Sequence, residues 1–183
     1  MIAGRQNMTS LADQQGKRTR YEPADVPSLI ATLASRDGVE RRVARGQLVS
    51  LGKPAVPGLI QCLSHPHKQI RWEAAKALGH IADPIAAAAL VNALEDKDGD
   101  VRWLAAVALV ALRRAALRPL LAALLERPDS DHLRQGAHHV CHDLARTRVC
   151  EVVRPVLEAL GKPEPEMAVP AAAYDALNAL HSL

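Results

Sequence analysis

With 183 residues, 49% of them apolar and 23% charged, the chain is too apolar for a disordered polypeptide and has the length of one ordinary globular domain. Aromatic residues make up only 2% and Phe is absent, while 33 Ala and 25 Leu supply the small, unbranched side chains that favour helix. A net charge of +3, from 23 basic and 20 acidic residues, lacks the field of a dedicated nucleic-acid or anionic-membrane binder.

Residues 1–22 form a polar segment, expected to be largely disordered or folded back as a cap on the first helices, with Ser10 able to start one short helix. The segment has no apolar stretch of secretory length, so no signal peptide is expected. Residues 23–183 read as one domain built from an internal repeat. An apolar pair, two smaller residues and a Leu recur at residues 29–33, 59–63, 90–94 and 120–124, with offsets of 30, 31 and 30.

Each copy is followed, after a polar break, by an Arg with apolar residues three, six, seven and ten positions later, the spacing of one face of an α-helix. The instances run Arg41, Ala44, Leu48, Leu51; Arg71, Ala74, Ala77, Leu78, Ile81; Arg102, Ala105, Ala108, Leu109, Leu112; and Arg134, Ala137, Val140, Cys141, Leu144. Gln47 interrupts the first of these, and a weaker fifth copy has Pro170 in the Arg slot, followed by Ala173, Ala176, Leu177 and Leu180. Pro54, Pro57, Pro84 and Pro119 fall where one unit hands over to the next, where a first-turn proline needs no N–H partner. Asp37 and Asp98, each four residues before the Arg of its unit, are expected both to cap the second helix and to hold that Arg. The apolar region from Trp103 to Leu125 is broken by Arg113, Arg114 and Arg118, so no membrane span is expected. Cys62, Cys141 and Cys150 are odd in number and lack CxxC spacing, which points away from a disulfide framework and towards a reducing, cytoplasmic setting.

The run Ile70-Arg71-Trp72-Glu73-Ala74-Ala75-Lys76-Ala77-Leu78-Gly79, closed by Asp83-Pro84, resembles a bacterial HEAT-like repeat of the phycobilisome-lyase type. The resemblance extends from residue 26 to residue 183, best in the two central units. It implies an all-α, right-handed α-α superhelix of about five helix pairs, with the Arg-starting helices on the concave side. A repeat of this kind is a packing motif and says little about chemistry. Lyases of that type handle bilin chromophores, yet the label attaches widely to repeats with other roles. Some HEAT-like hydroxylases hold di-iron through paired His-Glu motifs, and this chain has no His-Glu dipeptide.

The exposed stripe of the Arg-starting helices is the place to look for function. Rows carried along the repeats join Arg42, Trp72, Trp103 and Gln135, then Gly46, Lys76, Val107, His139 and Asp175. The helix from Val101 to Leu112 is unusual, because its outward stripe reads Trp103, Val107, Val110 and Ala111 with Leu104 at the margin. Two readings stay open: neighbouring repeats or the N-terminal segment cover this stripe, or Trp72, Trp103, Leu104, Val107 and Val110 floor a groove for a protein partner. Arg42 and Lys76 would border that groove. The alternative is nucleic acid bound at a basic end formed by Arg36, Arg41, Arg42, Arg45 and Lys53 with Lys17, Arg18 and Arg20. A third reading is metal-dependent or chromophore-handling chemistry. His138 and His142 stand at i, i+4, the spacing at which two imidazoles can share a cation, and the row alignment offers Asp175 as a third ligand. No phosphate loop, nucleophile elbow or placed carboxylate pair is present, so no catalytic residue and no cofactor is assigned.

Overall fold

Three helices in this chain begin where a side-chain oxygen meets an unpaired backbone amide. Asp37 accepts from the Val39 amide at 2.8 Å, Asp98 from Asp100 at 3.1 Å and Ser130 from Leu133 at 3.2 Å. The computed structural model describes residues 25–180, and among them every regular element is helical. Ten α-helices follow one another: α1 (Asp25–Thr32), α2 (Gly38–Leu51), α3 (Val56–Cys62), α4 (Lys68–Ile81), α5 (Ala87–Ala93), α6 (Gly99–Leu112), α7 (Arg114–Glu126), α8 (Asp131–Leu144), α9 (Cys150–Leu160) and α10 (Pro165–Ala179). The expectations for residues 1–22, and for His181 beyond α10, lie outside the described residues.

The helices form five consecutive pairs, and the all-α solenoid expected from the repeat is what the chain adopts. The repeated Leu33, Leu63, Leu94 and Leu124 are buried, as are Leu48, Leu78, Leu109 and Cys141 seven residues after each Arg. One apolar cluster runs unbroken from Val26 to Leu180, so each pair borrows its core from its neighbours. In one layer α2, α4, α6 and α8 pack side by side, with the most extensive contact between α4 and α6. There a Cβ on Gly79 would lie 3.1 Å from the Ala108 Cβ and 3.2 Å from its Cα, so glycine lets the two backbones approach more closely than a side chain would without α6 giving by a few tenths of an ångström.

Three local features differ from the sequence reading. Prolines 54 and 84 do open short 3-10 turns, but Pro119 sits inside α7, because that helix starts directly after Arg113 with no 3-10 turn before it. Arg113 takes φ 53° and ψ −125°, nearly the conformation of Gly52 at φ 69° and ψ −130°, a region that costs an L-residue energy. The last pair is also turned over: α9 packs on α8 and α10 on α7, so the helix that should extend the layer of second helices extends the other one. This is the unit in which Pro170 replaces the arginine.

That arginine is a latch, though not to the carboxylate expected. Nη1 of Arg71 donates to the carbonyls of His65 and Pro66 at 2.9 and 3.0 Å, and Arg41 does the same to Ser35 and Arg36 at 2.7 and 3.1 Å. Arg102 reaches the Asp96 carbonyl at 2.8 Å, and Arg134 donates to that of Pro128. Each guanidinium thus staples the turn five or six residues back, while Asp37 and Asp98 cap their helices without holding that arginine. For Arg41 and Arg71 the carboxylate partner comes from the following repeat, whereas Arg134 pairs with Asp131 of its own unit. Arg71 binds Asp96 through Nε and Nη2 at 2.6 and 2.9 Å. The 3% exposed Glu73 accepts from Arg41 Nε at 3.3 Å, from Arg45 and from Gln69 at 3.2 Å. These pairs tie the first unit to the second and the second to the third.

Candidate functional site

Helical periodicity and the stacking of the second-helix layer leave one stripe of each helix uncovered. On α6 that stripe carries Trp103, 57% exposed, and Val107, 41% exposed, one turn apart. Leu104 and Val110, expected to share the groove floor, are half-buried and lean on the core, so the open part of the patch is narrower than the spacing suggested. Ala111 extends it at the C-terminal side. Among the described residues nothing seals Trp103, and its ring meets only the His139 ring of α8, at 4.5 Å between centroids and tilted by 46°.

The matching Trp72 of α4 behaves differently, and the reason is one residue. Position i+4 is Lys76, whose Nζ reaches back to 4.6 Å from the Trp72 centroid, with Cζ of Arg45 at 5.8 Å on the neighbouring helix. In α6 the same position is Val107, too short to cover a ring, so Trp103 stays open. Arg42 on α2 is exposed and has no carboxylate partner among the described residues.

Beside Trp103 lies a cleft of about 290 Å³ between α6 and α8, with Gly99, Ala106 and Gly136 among its lining residues and with polar groups from Arg102, His132, Gln135 and His139. The small residues make the room: a Cβ on Gly136 would sit 2.7 Å from Leu94 Cδ2, so glycine lets α8 settle against the end of the α5 segment. Sequence reasoning placed Gln135 and His139 on the right rows but missed the cleft. The signal available was small side chains clustered about a tryptophan.

The proposed metal ligands are not brought together. His138 and His142 stack at 6.5 Å between centroids, both exposed, while Asp175 is carried away because α10 packs on α7 and not beside α8. Asp143, not Asp175, meets the histidines, lying 3.2 Å from His142 Nδ1 and 4.0 Å from His139 Nε2. Among the described residues no group of three or more His, Cys, Asp or Glu side chains is placed to hold a metal ion. His138, expected to be partly buried in the slot of Ala75 and Ala106, is exposed instead, since the helix that would cover it belongs to the reversed pair.

The cysteines are distributed as the repeat dictates. Cys62 and Cys141 lie in the core, and burial pushes the Cys62 thiol up and that of Cys141 to about 12, which holds both protonated. Cys150, half-buried at the start of α9, is 3.5 Å from Glu151. At the edge of the face, Lys68 bonds Asp98 at 3.1 Å; that bond, with the Asp100 amide, holds the carboxyl below its ordinary range against the opposing effect of desolvation.

The HEAT repeats family matches the chain twice, over residues 26–110 and over residues 56–140. The chain belongs to that family. The matches to the HEAT repeats cover the first four pairs up to α8, and stop before the reversed hairpin of α9 and α10. A designed armadillo repeat protein is similar in structure, with a TM-score of 0.37 and 17% identity over 85% of this HEAT repeat chain and 99% of the designed one. No curated protein matches it. Among the described residues no helix is long and apolar enough to cross a membrane.

Proposed function

We propose that this HEAT repeat chain is a non-catalytic adaptor or regulatory subunit that docks a protein partner on the face of its second-helix layer. One observation carries the reading: Trp103 and Val107 are open to solvent on a helix whose outward stripe holds no charge from Trp103 to Ala111. Solenoids present extended surfaces of this kind for binding, and an exposed tryptophan beside a cleft is the residue type that anchors protein interfaces. Chromophore handling, the role attached to the phycobilisome-lyase type, has less behind it, because two of the three thiols are locked in the core.

The test is a comparative pull-down from native lysate with wild type and a Trp103→Asp, Val107→Asp double variant. Both side chains are exposed, so the variant should melt with the wild type. The expected outcome is loss of a stoichiometric partner from the variant. Identical sets of captured proteins, with both forms folded, would remove this role from the face.

A further inference from the structure

Charge on this face is unevenly used. Its acids are engaged: Glu73 by Arg41 and Arg45, Asp96 by Arg71, Asp98 by Lys68, and Asp143 by His139 and His142. Three of its cations have no carboxylate. Arg102 on α6, which lines the cleft, donates to the Asp96 carbonyl. Arg42 is exposed without a carboxylate, and Lys76 rests on the Trp72 ring with its ammonium otherwise unneutralised among the described residues. Asp100, exposed at the N-terminal edge of α6, has no cationic partner among the described residues, and it lies about two turns before Val107. Lys76 and Arg42 thus stand on α4 and α2 to one side of the apolar Trp103 and Val107, and on the other side lies the cleft lined by Arg102, His132, Gln135 and His139.

Building on the docking reading above, we infer that the occupant of this face is an acidic protein segment, with a bulky apolar side chain seated beside Trp103 and its carboxylates over Lys76 and Arg42. The cleft of about 290 Å³ has room for one large side chain; Arg102 stands in its wall, and Lys76 and Arg42 lie beyond it on α4 and α2. Helices of one layer stand roughly 8–10 Å apart and an extended chain advances about 3.3 Å per residue. The acids of the segment therefore fall about three and six residues from the anchor, on the side towards α2. A nucleic acid fits less well, because a phosphate backbone repeats its charge at every nucleotide whereas the stripe from Trp103 to Ala111 carries no cation.

A random 12-residue peptide library displayed on phage, selected on the full chain and counter-selected on the Trp103→Asp, Val107→Asp variant, tests this. The expected winners carry one large apolar residue with Asp or Glu about three and six positions to one side. Their synthetic versions should lose tenfold or more in affinity to Lys76→Glu, to Arg42→Glu, or on raising salt to 0.5 M. Neutral or basic winners that still need Trp103 would overturn the acidic assignment and leave the docking reading standing. A selection whose binders are all removed by the counter-selection, so that no peptide depends on Trp103 and Val107, would overturn both. A 20-nucleotide oligo-dT that binds more tightly than any selected peptide, and is lost in Lys76→Glu, would also overturn the inference and make the occupant a nucleic acid.

Discussion

Replacing Arg71 by Met should cost about 4 kcal/mol, and adding Asp96→Asn should return more than half of it. Arg71 is 4% exposed and donates four hydrogen bonds, two to Asp96 and two to turn carbonyls. Met keeps most of the stem's packing but leaves the Asp96 carboxylate, 8% exposed, with the Asp98 amide at 2.8 Å as its remaining bond. Stranding one member of a buried pair typically costs about 3–5 kcal/mol, whereas the carbonyls of His65 and Pro66 border an exposed turn that water can reach and add little. Asn at position 96 still accepts from Asp98 but carries no charge, so the double variant should sit only about 1–2 kcal/mol below wild type. Urea unfolding followed by circular dichroism measures both, and the single variant should melt about 8–16 °C lower. A loss under about 1 kcal/mol, or a double variant less stable than the single, would show that the latch does not join the second pair to the third as described.

Two further outcomes follow from the backbone and the thiols. Arg113→Gly should raise stability by about 1 kcal/mol or more, because glycine adopts φ 53° without strain; an unchanged or lower melting temperature would mean that the arginine side chain compensates locally. With a disulfide reagent at pH 8, one of the three thiols, Cys150, should react quickly in the native chain and all three after denaturation. The Cys141 thiol stays protonated in the fold up to about 12, against 9.0 when free, so its contribution is intact below pH 9 and lost as pH rises towards 12. Cys141→Ala should flatten that part of the stability profile, and an unaltered slope would contradict the assignment.

Periodicity made most of the fold legible. The spacing of three, six, seven and ten residues placed Leu48, Leu78 and Leu109 in the core, and the same geometry put Trp103 and Val107 outside. What it left hidden depends on contacts between distant residues. The partners of Arg71 and Arg41 lie 25 and 32 residues downstream, at Asp96 and Glu73, and no local spacing links them. The metal set failed for the same reason, since Asp175 was aligned on the premise that each pair stacks like the last, and the final pair reverses. Pro119 misled because a proline marks a helix start only when a turn precedes it, and α7 has none.

Gly79 has a consequence beyond the space it leaves. It brings α4 and α6 together near their C-terminal halves, while at their other ends Lys68, Gln69, Trp72, Asp98 and Asp100 surround an opening. Trp72 stands beside that opening, away from the close approach. A methyl at position 79 would lie 3.1 Å from the Ala108 Cβ, so α6 would have to give by a few tenths of an ångström. One added atom would thus wedge two neighbouring helices apart at a point distant from the indole of Trp72.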